Sequence, residues 1–540
     1  MKKLFAIAAL IALYGASLLW LTFGTSHVFT SPDENANFIF AKAVHAISDP
    51  RFYDAINVAL HNIVHPRSVV AISEYLRPGS FLGWPIFSGL FAYVVGDAGI
   101  PLFTPLLLFV ALAAWWDMTR RLCGFRFANI ATMLLAVHPA VWYWTSRSMM
   151  HNIPFICFLI FAVWVAIARP LSRHVSESPS FRAALSFEWF TAGLLIGGAL
   201  WIRTSEAPWV ILLAIGSFIF CHKGFQVISW RISLFTFFIG LSLPIAGMLL
   251  MNAHDYGSPF VTGYTVHEKQ DIPVSEGMSM VEVTNVTTLQ MQRSVIWKHA
   301  VLPFGFHPRA ILKNVWNFGL VLFPLMTIGT IAGMWMTLRE KNRNVWRALL
   351  WVTIGLAVWL GIVYGSWSFN DNPDPSAITI GDSHVRYWLP LFVLSTLFVA
   401  RAVEIMQKKT PFLLLIFIIF SATTVFGGDD GLIHTRSVLF ASAAKRDEII
   451  ASTEKDAIIV VDRADKFLWP HRRVIQPLRS DTTYAALPVA VTLAPLYYYG
   501  IPFPESDMIY LNTVKLAELG LRIVFVKDIG DEALYRIEKL

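Results

Sequence analysis

The chain has 540 residues, of which 56% are hydrophobic and 15% charged, and its formal net charge is +7 at pH 7. Soluble domains carry about 25% charged residues, and disordered chains contain far fewer apolar ones. The composition therefore excludes soluble, disordered and fibrous classes and indicates an integral membrane protein. The basic residues lie in short segments between apolar runs, so no nucleic-acid partner is expected.

Long apolar runs recur along most of the chain. A helix needs about 20 mostly apolar residues to cross a bilayer, and by this measure we predict about eleven transmembrane helices. They are placed at 4–24, 100–118, 127–145, 153–169, 188–202, 207–221, 232–252, 316–337, 348–367, 387–404 and 411–427.

The apolar run at 81–95 is not counted as a span. It is short, and residues such as Gly83 and Pro85 interrupt it. We interpret it as a helix that lies in the membrane interface or re-enters the bilayer against protein. With this choice the short basic segments, among them 120–126 and 401–409, all fall on one side, which the positive-inside rule makes cytoplasmic.

The resulting fold class is a mainly α, polytopic membrane protein with a small α/β domain. Residues 1–427 are predicted to form the transmembrane domain, with a first outer loop at 25–99. Residues 428–540 are predicted to form an extracytoplasmic α/β domain, with buried strands at 457–461 and 521–526. The expected location is a prokaryotic cytoplasmic (inner) membrane, with the active site on the extracytoplasmic face.

An acidic pair follows the first span directly, in the segment Ser31-Pro-Asp-Glu-Asn-Ala-Asn37. Ser31 or Asp33 could cap a helix that begins here, and acidic residues in a first turn favour the helix dipole. Alternatively, Asp33 or Glu34 is a general base that removes a proton from an acceptor hydroxyl at the membrane surface. The sequence does not choose between the two carboxylates.

An acidic pair in a long first outer loop resembles the GT-C fold membrane glycosyltransferases. Within them the chain is similar to the protein O-mannosyltransferase and lipid A aminoarabinose transferase type. The resemblance implies that an acidic residue of the first loop is catalytic and that the donor is a polyprenyl-phosphate sugar. Four further segments carry it in order: Arg77–Ser80, Tyr256–Tyr264, Phe304–Arg309 and His384–Pro390. On this basis Tyr264, His384 and Tyr387 are candidate substrate-binding residues.

The loop after the third span departs from that family. Many members carry a second acidic residue there, but this chain reads Thr145-Ser-Arg-Ser-Met-Met-His-Asn152. Arg147, His151 and Asn152 are candidates to act in its place, Arg147 on phosphate and the other two on substrate. A metal site built on two carboxylates is accordingly not supported. No cofactor is predicted with certainty, and a divalent metal stays open.

Two arginines lie where spans meet the outer surface. Arg386 precedes a span, where it could hold the donor phosphate or act as an interface anchor beside Tyr387. Arg203 and Glu206 lie in the outer turn between two spans, where they could bind substrate or form a structural ion pair. We predict that Arg386, Arg203 and Arg147 bind the donor phosphate and that Glu206 contacts substrate.

These observations together predict a glycosyltransferase that moves a hexosyl or pentosyl group from a polyprenyl-phosphate donor to an acceptor hydroxyl. Its partners would be membrane lipid and a protein, lipid or cell-envelope glycan acceptor. A transporter or flippase of a lipid-linked sugar is the alternative. Transporters place ionisable groups near the bilayer midplane, whereas here the span centres are largely uncharged and the acidic pair lies at the surface.

Overall fold

A computed structural model of the chain describes residues 2–25, 27–168, 179–225, 230–270, 302–340, 344–367, 374 and 376–540. Residue 169, which ends the predicted span at 153–169, lies outside the described residues, as does much of the outer segment after the seventh span, at 271–301. The described part is mainly helical and carries one five-stranded sheet near its C-terminus.

The helices of the first part of the chain include most of those with apolar sequences. They are α1 Lys2–Thr22, α2 Pro32–Ile47, α3 Ala55–Ala59, α4 Gly83–Val95, α5 Phe103–Cys123, α6 Phe125–Ala136, α7 Pro139–Ser146, α8 Asn152–Val163, α9 Pro179–Ile202, α10 Ala207–Phe225 and α11 Trp230–Tyr256.

The later helices include three apolar ones and then the helices of the C-terminal region. They are α12 Gly263–Gln270, α13 Pro308–Val315, α14 Pro324–Arg339, α15 Asn344–Val363, α16 Ser383–Tyr387, α17 Leu389–Ile405, α18 Thr410–Phe426, α19 Leu432–Ser452, α20 Asp465–Leu468, α21 Asp481–Leu493 and α22 Glu505–Tyr510.

Each predicted span overlaps one or two of these helices. Among the described residues, 4 helical segments are long and apolar enough to cross a membrane, or up to 5 if one bent pair counts as a span. The four are Asp97–Cys123, Arg231–Tyr256, Val345–Val363 and Gln407–Phe426, and several apolar helices are shorter. The chain is therefore a multi-pass membrane protein, and the number of about eleven spans stays a prediction.

The predicted span at 316–337 coincides with a bent pair of helical segments. The helical segments Pro308–Val321 and Pro324–Arg339 meet at an angle of 99°. Pro324 lacks a backbone N–H and restricts the conformation of Phe323, which has φ −126° and ψ 54°. The predicted span at 127–145 is interrupted for the same reason, because Pro139 follows His138 between α6 and α7.

The described chain forms two compact units, each assembled from separate segments. Unit 1 comprises Met1–Leu18, Leu102–Met248 and Ile272–His434, and unit 2 comprises Leu19–Pro101, Leu249–Asp271 and Thr435–Leu540. The predicted division into 1–427 and 428–540 stays a prediction.

In unit 1, α9 and α11 approach each other closely through glycine. A Cβ atom on Gly240 would meet the carbonyl oxygen of Phe190, and one on Gly193 would meet that of Phe237. Lipid tails are as apolar as leucine, so helices in a bilayer gain stability from close backbone packing between small residues. These two glycines therefore fix the distance between α9 and α11.

Unit 2 contains the sheet, whose strand order is β5-β4-β6-β8-β7. The strands are β4 Ile458–Val461, β5 Arg473–Ile475, β6 Leu496–Gly500, β7 Leu521–Ile529 and β8 Glu532–Lys539. The parallel strands β5, β4 and β6 and the antiparallel hairpin of β7 and β8 fit the predicted α/β class. The predicted strand at 457–461 is confirmed as buried, since β4 is buried at all four positions.

The strand predicted at 521–526 is present as part of β7, but the prediction that it is buried is wrong. Because β7 is an edge strand, Val524, Phe525 and Val526 are exposed by 41%, 51% and 41%. A second, three-stranded sheet, in the order β1-β3-β2, lies within the predicted first outer loop at 25–99, which we call the first outer segment. Its strands are β1 Phe52–Tyr53, β2 Val69–Ile72 and β3 Tyr75–Pro78.

The glycine contacts in unit 1 generate a stability prediction. Gly240→Val would place side-chain atoms against the backbone of Phe190, and the overpacking should destabilise the fold by about 2 kcal/mol. Gly216→Val is the matched control, because a Cβ at Gly216 has nothing within 4 Å. Thermal unfolding of both variants in detergent measures the difference. Equal midpoints for the two variants would contradict the packing argument.

Candidate active site

The acidic pair lies in the first turn of α2, in unit 2. The Ser31 side chain caps this helix by accepting a hydrogen bond from the backbone N–H of Asp33 at 3.3 Å, and Pro32 occupies the first turn. Ser31 is therefore the cap, which leaves the carboxylate of Asp33 available for other contacts. Both acidic residues lie in the first turn, where the helix dipole stabilises negative charge, and this is one of the two structural roles that the sequence suggested for the pair.

The two carboxylates differ in their surroundings. Asp33 is half-buried, and its Oδ1 accepts a hydrogen bond from the hydroxyl of Ser68. Glu34 is only 2% exposed, and its Oε2 accepts a hydrogen bond from Thr30 Oγ1 at 3.4 Å. Within unit 2 the carboxylate of Asp33 is the more accessible of the two.

Two of the segments that carry the family resemblance pack together in unit 2. The hydroxyl of Tyr256 donates to the carbonyl oxygen of Pro78 at 2.7 Å. A Cβ on Gly263 would meet the same carbonyl oxygen and would lie 2.5 Å from the carbonyl carbon of Gly79. The ring of Tyr264, a predicted substrate-binding residue, lies edge-on to Phe81 with centroids 4.9 Å apart. The segments 256–264 and 77–81 therefore form one packed element beside Ser68.

A buried carboxylate that the sequence analysis missed lies next to this element. Asp255 is fully buried, and its Oδ1 is 3.2 Å from His254 Nδ1 and 3.8 Å from Arg51 Nε. Arg77, only 6% exposed, interacts electrostatically with Asp255, and burial lowers the pKa of the Arg77 guanidinium. The charge lies at the C-terminal end of an apolar helix, a position where an isolated Asp gives no signal in the sequence.

In unit 1, six of the predicted site residues cluster at the ends of helices. A small pocket is lined by Arg203, Arg386, Asn152, Glu206 and Tyr387, together with apolar side chains of α8 and α17. His151 is buried beside both arginines, and burial, together with their charges, lowers the pKa of its imidazole well below the ordinary value. We call this the arginine pocket. A neutral imidazole and two guanidiniums thus lie together.

Arg203 and Glu206 form a buried ion pair. Each side chain is 3% exposed, and Arg203 Nη2 donates to Glu206 Oε1 at 2.5 Å. The hydroxyl of Tyr364 donates to the same oxygen at 2.6 Å, and the indole N–H of Trp209 donates to Oε2 at 2.5 Å. The structural pair that the sequence left open is therefore present, and Glu206 keeps a buried cation charged.

Arg386 and Arg147 are grouped around one aromatic ring. The guanidinium of Arg386 lies 5.7 Å from the ring centre of Trp144, and that of Arg147 lies 5.4 Å from it. Asn152 Nδ2 donates to the backbone carbonyl of Arg386 at 3.2 Å, which holds the start of α8 against α16. Arg147 is not among the residues that line the arginine pocket, but it approaches the same indole as Arg386.

His384 has structural contacts. Its Nδ1 is 2.7 Å from Asp382 Oδ1, and its ring stacks on Phe318 with centroids 4.8 Å apart. Asp382 caps α16, and Tyr387, the last residue of this helix, stacks on Tyr364 with ring centroids 4.5 Å apart. In the described ranges no group of three or more His, Cys, Asp and Glu side chains could hold a metal ion. The contacts of His384 with its neighbours therefore hold α16 in place, and α16 contributes side chains to the arginine pocket.

The fold is that of the GT-C membrane glycosyltransferases, as the sequence resemblance implied. The chain is similar to ArnT from Cupriavidus metallidurans in the apo state, with a TM-score of 0.53, 11% identity and 98% of each chain covered. No protein-family model and no curated protein sequence matches it.

The chain is also similar to the oligosaccharyltransferase of Archaeoglobus fulgidus. The apo form gives a TM-score of 0.49 and 12% identity, covering 95% of this chain and 71% of that one. The AglB complex with an inhibitory peptide and a dolichol-phosphate gives 0.47 and 12%, covering 88% of this chain and 65% of that one. This chain therefore spans about two thirds of the length of AglB.

The buried ion pair generates a prediction about stability. Glu206→Ala leaves Arg203 as an uncompensated buried charge and should destabilise the fold by about 3–5 kcal/mol. Tyr364→Phe removes one of the hydrogen bonds to Glu206 and should cost about 1 kcal/mol. Thermal unfolding of the two variants in detergent compares them. A smaller loss for Glu206→Ala than for Tyr364→Phe would refute the assignment.

Proposed function

We propose that this protein is an integral membrane glycosyltransferase that moves a sugar from a polyprenyl-phosphate donor to an acceptor hydroxyl. The observation that carries the proposal is the arginine pocket, in which two guanidiniums line one small pocket in a chain with the GT-C fold. Guanidinium groups match the geometry of phosphate oxygens and stay charged at any physiological pH.

The pocket has spare hydrogen-bonding capacity for a ligand. Within the described residues, Arg203 Nη1 and Asn152 Oδ1 are buried and have no hydrogen-bond partner. A buried polar atom without a partner is costly, and a bound polar ligand would remove that cost. In this proposal Arg203 and Arg386 bind the donor phosphate and Asn152 accepts a hydrogen bond from a sugar hydroxyl.

A small apolar pocket is lined by side chains of α8, α9, α10 and α11, including Leu159 and Val210. Leu159 lies three positions after Ile156, which lines the arginine pocket, so α8 contributes side chains to both pockets. A ligand with a charged head and a long hydrocarbon tail, such as a polyprenyl phosphate, has the matching chemistry.

The proposed reaction has one bond-forming and one bond-breaking step. The acceptor oxygen forms a bond to the anomeric carbon of the sugar, and the bond between that carbon and the phosphate oxygen breaks. Asp33 takes the acceptor proton as general base, and the polyprenyl phosphate leaves with its charge stabilised by Arg386 and Arg203. Arg147 is proposed as a further phosphate contact, and Tyr387, His151 and Glu206 as supports for the donor.

The donor already carries an activated sugar, so no nucleotide is required. We propose that the reaction takes place on the extracytoplasmic face of a prokaryotic inner membrane, where the first outer loop lies according to the positive-inside rule. The acceptor would be a protein, a lipid or a cell-envelope glycan, and the transferred group a hexosyl or pentosyl unit.

A base-swap experiment tests the assignment of the carboxylate. Asp33→Asn keeps the shape of the side chain and removes the base, so transfer should fall by at least about 100-fold. Glu34→Gln, at a buried position, should keep much more activity. Release of polyprenyl phosphate from a radiolabelled donor measures both variants in purified protein. Full activity in Asp33→Asn would exclude Asp33 as the base.

A binding experiment tests the arginine pocket. Arg386→Ala should weaken binding of polyprenyl phosphate by about 10-fold to 100-fold, since a charge-assisted hydrogen bond contributes about 1.5–3 kcal/mol. Arg309→Ala is the control, because Arg309 is an exposed arginine of the same unit that does not line the pocket. Titration with the lipid phosphate in detergent gives both affinities, and equal losses would argue against the site.

A further inference from the structure

A short helix of the C-terminal region begins with a buried carboxylate. Asp465, the first residue of α20, is fully buried. It follows β4 by a few residues, at the carboxyl end of a parallel strand where polar side chains tend to gather. A buried carboxylate needs strong partners to remain charged.

Those partners come from the first outer segment. Arg67 Nη2 donates to Asp465 Oδ1 at 2.6 Å, and the backbone N–H of Arg67 donates to Oδ2 at 2.9 Å. Gln476 Nε2 adds a longer hydrogen bond to Oδ2 at 3.4 Å. The carboxylate therefore binds both the side chain and the main chain of Arg67, which fixes the position of the residue that follows.

The residue that follows is Ser68, which donates to Asp33. Its φ of 60° lies in the left-handed region that residues other than glycine seldom adopt. Its carbonyl oxygen accepts from the N–H of Gly79 at 2.8 Å, and a Cβ on Gly79 would lie 2.8 Å from the Ser68 carbonyl carbon. Such a conformation persists only where the surroundings hold it, and here Arg67 and Gly79 do so from both sides.

The other end of α20 contacts the same helix. The carbonyl oxygen of Trp469 accepts a hydrogen bond from Asn35 Nδ2 at 3.0 Å, and Asn35 lies two positions after Asp33 on α2. The ring of Trp469 lies 5.9 Å from that of Phe40, also on α2. Trp469 therefore contacts α2 at two points, Asn35 in its first turn and Phe40 further along the helix.

We propose that Asp465 is a positioning residue for the proposed base. Through Arg67 and Ser68 it fixes the direction in which the carboxylate of Asp33 points, so the C-terminal region takes part in catalysis without accepting the proton itself. This inference rests on the proposed function, because it assigns Asp33 as the base. It gives the C-terminal α/β region a role that is separate from binding the acceptor.

A kinetic comparison tests the proposal. Asp465→Asn and Ser68→Ala should each lower kcat about 10-fold or more, because a displaced catalytic group loses rate steeply, and should leave KM for the lipid-linked sugar unchanged. The double variant should be no slower than the slower single variant, since both changes act through one contact. Equal kcat in Asp465→Asn and wild type would overturn it.

Arg473→Gln is the matched control. Arg473 Nε lies 2.9 Å from Asp54 Oδ2, so this pair also joins the C-terminal sheet to the first outer segment, but it does not lead to Asp33. The control variant should keep kcat. A loss in Arg473→Gln equal to that in Asp465→Asn would show that any loosening of these two segments has the same effect, and the positioning role would be refuted.

Hydrogen exchange separates this inference from the proposed function. In Asp465→Asn, the amides of residues 33–38 should exchange at least about 10-fold faster than in wild type, and in Arg473→Gln they should not. If wild type transfers no sugar, or Asp33→Asn keeps full activity, the proposed function fails while exchange still tests the positioning contact. Unchanged exchange in Asp465→Asn overturns the inference whatever the activity.

Discussion

A buried guanidinium that is kept charged is the constraint on which this account depends. Arg203 lies between apolar helices, where an unpaired cation would be strongly destabilising. Glu206 compensates it, and Tyr364 and Trp209 satisfy the carboxylate in turn, so the charge is fixed in direction as well as in place. A cation fixed in this way is the property that the proposed phosphate leaving group requires.

The second constraint is that each compact unit is assembled from segments far apart in the sequence. The first outer segment packs with the C-terminal strands in one compact unit, and most of the apolar helices form the other. Leu60 and Val64 of the first segment belong to the hydrophobic core of the C-terminal sheet. The proposed base therefore depends on residues several hundred positions away, and a truncated chain without its C-terminal region would leave α2 without its supporting contacts.

Much of this could be predicted from local sequence. Apolar runs of sufficient length located the helices, the start of α2 followed from Ser31 and Pro32, and β4 followed from a run of buried aliphatic residues. The bend after residue 321 could have been inferred from Pro324, because proline interrupts a helix wherever tertiary packing does not compensate for the lost hydrogen bond.

Other features could not be predicted, because they depend on contacts distant in sequence. The bond between Arg67 and Asp465 joins residues 398 positions apart, and nothing in either neighbourhood marks them as partners. The strand β5 is three residues long, too short for its alternation to stand out, and β7 differs from a buried strand only by lying at the edge of the sheet. Long-range pairing thus decides both the candidate site and the burial of the strands.

The most direct test of the central claim follows the fate of the lipid carrier in proteoliposomes that contain the purified protein. The liposomes are supplied with a panel of polyprenyl-phosphate sugars labelled in both the sugar and the phosphate. The account predicts that, for one of these donors, one free polyprenyl phosphate is released for each sugar transferred to an acceptor. Movement of the intact labelled donor across the membrane, without release of free polyprenyl phosphate, would contradict it and indicate a flippase.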